Sequence, residues 1–278
     1  MTELPASATS LADESTRPLA GQTKRPNLAG EVVLVLAFYL IYTWVRNQFG
    51  SASVSADRAL QNARHIIDFE KSIGLYIEPD LHNAILGSRA FVQFWNLFYG
   101  SFHFAVTIGV LAWLFIKFPQ RYRQWRTGLL TTIGLSLTGF ALFPVMPPRL
   151  LANCGEFGGC DPTAIFVDTS IDYGGLWSFD SGTAVAVSNQ FAAMPSLHFA
   201  WAMWCTLALW PVLRHTVTRG LMAIYPLATV YAVIVTANHY WLDVVGGAIV
   251  LGVGVFVGNW WIDKTSPVSP STVVSDVA

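Results

Sequence analysis

Two histidines and one carboxylate stand at spacings that could support nucleophilic attack and proton transfer. His239 and Asp243 lie four positions apart in "HYWLDVVGG", so their side chains share one face if this stretch is helical. A carboxylate bonded to one imidazole nitrogen fixes the tautomer and makes the other nitrogen a better nucleophile. His198, in "FAAMPSLH", has no carboxylate at a comparable spacing and could protonate a leaving oxygen. The pattern predicts His239 as nucleophile, His198 as acid and base, and Asp243 as the residue that orients His239.

Other polar groups could hold a phosphate beside these histidines. Arg149, in "FPVMPPRL", carries a guanidinium that can bind phosphate oxygens bidentately. The turn at Pro195 and Ser196 precedes an apolar stretch, and the free N–H groups at the start of a helix attract anions. Asn238 and Tyr240 flank His239 in the chain. We therefore predict that the substrate phosphate contacts Arg149, Ser196, Asn238 and Tyr240.

The composition is that of a membrane protein. Of the 278 residues, 53% are hydrophobic and 12% are charged, whereas soluble domains carry about 25% charged residues. The net charge of −1 gives no indication of a nucleic-acid partner. A bilayer core of about 30 Å is crossed by roughly 20 apolar residues in a helix. Stretches of this kind occupy residues 30–48, 91–116, 127–146, 192–212, 219–237 and 241–262. The predicted fold is an all-α, polytopic membrane protein built as a six-transmembrane-helix bundle.

The chain divides into a central membrane domain and two tails. Residues 1–29 are polar and predict a disordered cytoplasmic tail. Residues 30–262 form the predicted membrane domain, with the motifs in about 90–262, and residues 263–278 form a loose C-terminal tail. Between the first two spans, apolar residues recur at helical spacing in "DRALQNARHIIDFEKSIGL". This pattern predicts an amphipathic helix on the outer face, lying in the membrane interface.

Lysine and arginine set the predicted orientation, because cytoplasmic loops of membrane proteins are enriched in them. If the spans alternate, the basic loops fall on one side, which we assign to the cytoplasm together with both termini. The counted cations are Lys24, Arg25, Lys117, Arg121, Arg123, Arg126, Arg214, Arg219 and Lys264. The count uses none of the site residues, yet it places all of them on the extracytoplasmic face. We predict a multi-pass protein of the plasma membrane.

The order of the motifs resembles that of the type-2 phosphatidic acid phosphatase superfamily, the membrane relatives of vanadium haloperoxidases. Its three motifs are matched by Arg149, by "PSLH" at 195–198 and by His239 with Asp243, over about residues 90–262. The "PVMPPRL", "FAAMPSLH" and "HYWLDVVGG" stretches look closest to the inositolphosphotransferase branch, which is similar to inositol phosphorylceramide synthase. The resemblance implies a phospholipid or other lipid phosphate substrate, an alcohol or water acceptor, a phosphohistidine intermediate and no metal or other cofactor.

Three positions stand where a related sequence would carry a cation. Leu142 stands where the superfamily's first motif has lysine, and Val233 stands where its third motif has arginine. Ala237 stands where the inositolphosphotransferase branch often has arginine. A phosphodiester carries a single negative charge and needs less compensation than a phosphomonoester dianion. The departures therefore favour a phosphodiester substrate and headgroup transfer. Cations of the outer segment could replace the missing ones: Arg58, Arg64, Lys71 and Arg89.

Other interpretations fit the same residues. The protein could be a lipid phosphate or prenyl pyrophosphate phosphatase with water as acceptor. His198, His239 and Asp243 could instead ligate a metal ion, although the cation would repel Arg149. A non-catalytic lipid carrier or membrane scaffold would also show apolar spans and a polar outer cluster. Turnover of a labelled phospholipid by the purified protein distinguishes an enzyme from a carrier.

Cys154 and Cys160 are predicted to form a disulfide. They flank the flexible "GEFGG" on the side assigned as extracytoplasmic, where oxidation is allowed, whereas Cys205 lies inside the fourth predicted span. We expect one of the three cysteines to react as a free thiol when the protein is denatured without reductant. Thiol titration before and after reduction measures this. Three reactive thiols without reductant would contradict the bond and weaken the assigned topology.

Overall fold

The computed structural model describes residues 26–49, 51, 53–174 and 189–265. Within these residues the regular structure is helical, apart from an isolated parallel bridge between Val145 and Ala192. A π-helical turn at Phe98–Phe102 joins the fourth helix to the fifth. The helices are α1 (Leu28–Phe49), α2 (Ala56–Ser72), α3 (Glu78–Ile85), α4 (Arg89–Leu97), α5 (His103–Lys117), α6 (Pro119–Leu142), α7 (Pro148–Leu151), α8 (Thr169–Asp172), α9 (Leu197–Leu209), α10 (Thr216–Val235) and α11 (Trp241–Thr265).

Four helical segments among the described residues are long and apolar enough to cross a membrane. They are α1, the continuous run Arg89–Lys117 from α4 through α5, then α10 and α11. This observation confirms the prediction of an all-helical membrane protein. α6 and α9 are not among the four, because α6 carries arginines in its first turns and α9 has only 13 residues.

Two predicted spans differ most in their bounds from the helices of the structure. The predicted span 127–146 corresponds to α6, which begins at Pro119 and ends at Leu142. Phe143 leaves the helix because it precedes Pro144, and a residue before proline is disfavoured in the α conformation. The predicted span 192–212 is helical only over α9, since the bridge at Ala192 and the Pro195–Ser196 turn occupy its first residues.

The ends of the described chain differ from the predicted tails by a few residues. α1 begins at Leu28, inside the predicted tail 1–29, and residues 1–25 lie outside the described residues. α11 continues to Thr265, whose hydroxyl donates to the Trp261 carbonyl at 2.8 Å. Residues 263–265 therefore complete the last helical turn instead of belonging to a loose tail. The rest of that predicted tail lies outside the described residues.

Glycines allow α6 and α11 to pack with their backbones in contact. A methyl group at Gly254 would lie 2.1 Å from Oγ1 of Thr132 and 2.5 Å from the carbonyl oxygen of Gly128. One at Gly258 would lie 2.6 Å from the carbonyl oxygen of Gln124, so the two helices run antiparallel. Small residues allow such close packing between membrane helices. The antiparallel contact brings the end of α6 and the start of α11 to the same end of the bundle.

A second close contact joins α11 to the residue that precedes α9. The N–H of Ser196 donates to the carbonyl of Asp243 at 2.8 Å. A methyl group at Gly247 would lie 2.5 Å from the carbonyl oxygen of Ser196, so only glycine fits there without displacement. The contact fixes the start of α9 against the first turns of α11, and it thereby sets the distance between His198 and His239.

The helix α2 covers the loop that follows α6. Ala59 and Ala63 on its buried face pack against Val145 and Met146, and the N–H of Met146 donates to the Ala59 carbonyl at 3.1 Å. The amphipathic helix predicted in this segment is therefore present, with its apolar face turned toward the protein. Its position in the membrane interface stays a prediction.

We expect Gly247→Ala to destabilise the protein by about 1–3 kcal/mol, because the added methyl overpacks the contact with Ser196. Gly252→Ala is the matched control, since it lies on the same helix with nothing within 4 Å of the added methyl. Alanine favours a helix over glycine by about 0.5–1 kcal/mol, so the control should be neutral or stabilised. Thermal unfolding in detergent micelles measures both effects. Equal unfolding midpoints for the two variants would contradict the steric argument.

Candidate active site

His239 lies in the turn between α10 and α11 and is held by Asp243. The N–H of His239 donates to the Val233 carbonyl at 3.1 Å, which reverses the chain after α10. Nδ1 of His239 lies 3.2 Å from Oδ2 of Asp243, and the N–H of Tyr240 donates to the same oxygen at 2.9 Å. Because a carboxylate accepts, Nδ1 of His239 carries the proton and Nε2 presents a lone pair. The structure thus brings the predicted His–Asp pair together.

His198 lies on the other side of the His239 ring. Its Nδ1 is 3.3 Å from Nε2 of His239. Since Nε2 of His239 accepts, Nδ1 of His198 donates, and the protons run in one direction from His198 to His239 to Asp243. The three side chains form a linear chain of hydrogen bonds and do not surround a common point. Among the described residues, no group of three or more His, Cys, Asp and Glu side chains could hold a metal ion.

Tyr99 in the π-helical turn and His103 directly after it fix the plane of the His198 ring. Tyr99 stacks on it with ring centroids 4.3 Å apart and an interplanar angle of 23°. The His103 ring lies at 4.2 Å from His198, and its Nδ1 is 2.9 Å from the Tyr99 carbonyl. The sequence gives one signal for this contact, a histidine inside an apolar span, because polar residues in a membrane are costly. The π-helical turn that aims both rings has no sequence signature.

The guanidinium of Arg149 donates hydrogen bonds to three polar side chains. Its Nε donates to Oδ1 of Asn238 at 3.0 Å, its Nη2 to Oε1 of Gln190 at 2.7 Å, and its Nη1 to Oδ2 of Asp168 at 2.6 Å. Asn238 immediately precedes His239 in the chain, so the predicted phosphate-binding arginine and the predicted nucleophile are attached to the same turn. Asp168 and Gln190 belong to the loop between α6 and α9, where no motif points to them.

Ser196 and Tyr240, the other predicted phosphate contacts, are fully buried. The hydroxyl of Ser196 accepts from the N–H of Phe199 at 3.5 Å and caps α9, while the hydroxyl of Tyr240 donates to the Met146 carbonyl at 3.1 Å. Both side chains connect elements of the site to one another. A direct phosphate contact by either hydroxyl stays a prediction, as do the phosphate contacts of Arg149 and Asn238.

The cations of the outer segment have partners of their own. Nη2 of Arg58 donates to the Leu142 carbonyl at 3.3 Å, and Nη2 of Arg64 lies 3.1 Å from Oδ2 of Asp161. The ammonium of Lys71 lies 5.1 Å from the centroid of the Tyr76 ring. Arg89, the first residue of α4, is exposed.

The three cysteines are placed as follows. Cys154 and Cys160 are joined by a disulfide with their Cα atoms 4.3 Å apart. Cys205 is buried in α9 as a free thiol.

The comparison with known families decides the identity of the chain. Its sequence matches the PAP2 superfamily over residues 64–257, which is more than half of its length. This protein belongs to the PAP2 superfamily. The membership makes it a phosphatase or phosphotransferase that acts on lipid phosphates. No curated protein and no solved structure matches it.

In this PAP2 superfamily member, two buried glutamates hold the first turn of α11. Oε1 of Glu70 accepts from the N–H of Leu242 at 2.9 Å, and Oε1 of Glu78 accepts from the N–H of Trp241 at 2.9 Å. These N–H groups have no partner within a helix and need acceptors when they are buried. Glu70 sits on the apolar face of α2, and a carboxylate at such a position is the one sequence signal for this contact. Motif reasoning misses both residues.

The two glutamates interact with each other as well as with α11. Burial, the charge of Glu78 and that of Asp243 raise the pKa of Glu70 to about 9, although the bond from Leu242 opposes the shift. At neutral pH, Glu70 is therefore protonated and can donate to Glu78. One shared proton lets two adjacent buried carboxyl groups coexist.

We expect the stability of the wild type to fall as the pH rises from about 5 to 9. The folded protein keeps a proton on Glu70 up to a pKa of about 9, whereas the unfolded chain loses it near 4.5. Folding is thus linked to proton uptake in this window, and uptake becomes harder as the pH rises. Glu70→Gln imitates the protonated acid and should weaken the pH dependence. Unfolding midpoints of both proteins between pH 5 and 9 measure this.

The exposed Asp68 on the same helix provides the control for this substitution. Asp68→Asn removes an acidic group without touching α11 and should keep the wild-type slope of midpoint against pH. The assignment of the proton to Glu70 is wrong if Glu70→Gln also keeps that slope.

Proposed function

We propose that this enzyme transfers the phosphate-bearing headgroup of a phosphodiester lipid to an alcohol acceptor through a phosphohistidine at His239. The observation that carries the proposal is the hydrogen-bonded line from His198 through His239 to Asp243. The His239 ring is held in place by the Asp243 carboxylate and presents a lone pair. The His198 ring presents a proton beside it. Nucleophilic catalysis followed by proton delivery to a leaving group needs these two parts.

In the first step, Nε2 of His239 attacks phosphorus and forms a P–N bond while the P–O bond to the leaving alcohol breaks. His198, which carries a second proton on Nε2 when the substrate is bound, passes its Nδ1 proton to the leaving oxygen and becomes neutral. Because the lone pair of Nε2 accepts from His198, the substrate must replace this hydrogen bond before attack. In the second step, Nδ1 of His198 takes the proton of the acceptor hydroxyl, whose oxygen attacks phosphorus and releases His239.

Asp243 stabilises the positive charge that develops on His239 when its lone pair is used. Its carboxylate is completely buried, so water weakens this interaction little. It also holds the proton on Nδ1 and thereby keeps Nε2 as the nucleophilic atom. Its contact with the Tyr240 N–H prevents rotation of the carboxylate away from the ring.

Preference for a phosphodiester and for transfer is supported by the scarcity of cations near the site. Leu142 and Val233 stand where the family pattern has cations. Arg64 and Lys71 of the outer segment have partners elsewhere, whereas Arg58 donates to the carbonyl of Leu142 itself. With water as acceptor, the same chemistry gives a lipid phosphate or prenyl pyrophosphate phosphatase, which is the second candidate. The resemblance of the motifs to inositolphosphotransferases favours the transferase.

The proposed topology has six spans, both termini in the cytoplasm and the site on the extracytoplasmic face of the plasma membrane. α6 and α9 would be the third and fourth spans. The arginines at 121, 123 and 126 lie in the first turns of α6, while the chain that follows its other end leads to Arg149. A helix of 24 residues is about 36 Å long, enough to separate the two ends across a bilayer. The disulfide beside the Arg149 segment agrees with an oxidising compartment.

Substitution of the two histidines tests the assigned roles. We expect His198→Ala to be slow with a natural alkoxide leaving group and to recover part of its rate with a nitrophenolate, which needs no proton. His239→Ala should be inactive with both substrates. Asp243→Asn should lose at least about 10²-fold in turnover, since the oriented imidazole loses its charge partner. Turnover of both substrates by each purified variant is the measurement. Rescue of His239→Ala, not His198→Ala, by the nitrophenyl substrate would reverse the assignment.

The choice of substrate class tests transfer against hydrolysis. We expect the wild type to consume a phosphodiester lipid faster than phosphatidic acid or a prenyl pyrophosphate, and to do so only when an alcohol acceptor is supplied. Products are measured by lipid mass spectrometry with each substrate at equal concentration in micelles. Faster turnover of the phosphomonoester or pyrophosphate would make the phosphatase the better description of this protein.

A further inference from the structure

The ion pair between Arg149 and Asp168 borders a pocket and is not sealed in the core. A pocket of about 280 Å³ is lined by both residues, together with Gln190 and Ser170. The side chains are 11% and 6% exposed, so a ligand can reach the pair while bulk water screens it poorly. A ligand that approaches Arg149 therefore also interacts with the negative charge of Asp168.

The carboxylate of Asp168 is fixed in place by hydrogen bonds to Oδ1, the oxygen that does not contact Arg149. Oδ1 accepts from the N–H of Ser170 at 3.1 Å and from its hydroxyl at 2.5 Å, and it caps the short helix α8. Oδ2 is left for Nη1 of Arg149 at 2.6 Å. Because the cap holds the carboxylate independently of Arg149, the negative charge stays when a substrate binds.

The guanidinium of Arg149 can still contact a phosphate, but with little net charge. Of its five N–H groups, three donate to Asn238, Gln190 and Asp168. The remaining N–H groups on Nη1 and Nη2 can bind phosphate oxygens. Asp168 cancels the positive charge of the group, so the contact supplies hydrogen bonds with reduced attraction for a second negative charge.

We propose that Asp168 is a specificity-determining residue whose fixed carboxylate excludes phosphate dianions and admits the singly charged phosphate of a diester. The inference rests on the proposed function, since it assumes that Arg149 meets the substrate phosphate. A phosphomonoester carries about −1.5 to −2 charges at pH 7, and each added charge is repelled by Asp168. The neutral amide of Gln190 opposite Asp168 adds no compensating cation.

Nitrophenyl substrates that share one leaving group test this proposal in the full-length protein. The ratio of kcat/KM for nitrophenyl methyl phosphate, a diester, to that for nitrophenyl phosphate, a monoester, is measured at pH 8. We expect Asp168→Asn to lower this ratio by about tenfold or more, as expected for removing one charge near the phosphate. The dissociation constant of inorganic phosphate, measured by calorimetry, should fall by a similar factor.

Two controls separate charge from structure. Asp172→Asn removes an equal charge from the exposed end of α8 and should leave both values unchanged. Ser170→Ala loosens the cap of α8 while it keeps the carboxylate, so it should not lower the diester-to-monoester ratio. A decrease of the same size in Ser170→Ala would overturn the proposal, because loosening would then explain the effect.

A third variant adds a negative charge beside Arg149 instead of removing one. It stays informative if Asp168→Asn does not fold. Gln190→Glu places a second carboxylate next to Nη2 of Arg149 and should weaken phosphate binding by about tenfold. Unchanged phosphate binding in both Asp168→Asn and Gln190→Glu would overturn the proposal. Phosphate binding does not require turnover, so absence of diester turnover in the wild type would refute the proposed function without affecting this test.

Discussion

The site depends on how the buried start of α11 satisfies its backbone N–H groups. The first turn of a helix leaves N–H groups without partners, and in an apolar bundle water cannot supply them. Here carboxyl oxygens of side chains do so: Asp243 accepts from Tyr240, Glu78 from Trp241 and Glu70 from Leu242. The carboxylate that completes the turn is also the one that orients His239. The same side chain therefore satisfies a backbone N–H group and orients the His239 ring.

Other parts of the molecule are attached by hydrogen bonds to this turn and to the residues just before it. Ser196 donates to the Asp243 carbonyl, which places α9 and His198. The N–H of Arg149 donates to the carbonyl of Ala237, a residue held at a φ of 55°, in the left-handed region that non-glycine residues rarely adopt. Asn238 then holds the guanidinium. Backbone strain of this kind is maintained only where surrounding contacts determine it.

The sequence predicts which polar residues the fold brings together better than it predicts the residues that support them. His198, His239, Asp243 and Arg149 can be found because their residue types are costly in a membrane and their loops fall on one predicted face. The bounds of α6 and α9 are less predictable, since hydropathy continues through Phe143 and Ala192 while proline and a backbone bridge end the helices.

Asp168, Glu70 and Glu78 could not be assigned from the sequence alone. Carboxyl groups in α2, at the start of α3 and between α6 and α9 look like ordinary surface residues until the fold brings them against Arg149 and α11. Their roles depend on contacts between residues far apart in the chain, and a spacing rule within one helix contains no information on such contacts. The apolar neighbours of Glu70 on α2 are the exception, and they indicate burial without naming a partner.

The hydrogen bond between the two histidine rings also has a consequence for access to His239. The lone pair that is proposed to attack phosphorus accepts from Nδ1 of His198 at 3.3 Å. An electrophile that cannot displace the His198 ring meets a nitrogen already in use, in a side chain that is 3% exposed. Nε2 of His239 is in this way shielded from alkylation by molecules that do not fit. A ligand reaches it only by displacing the His198 ring, which is stacked on Tyr99 and lies against His103.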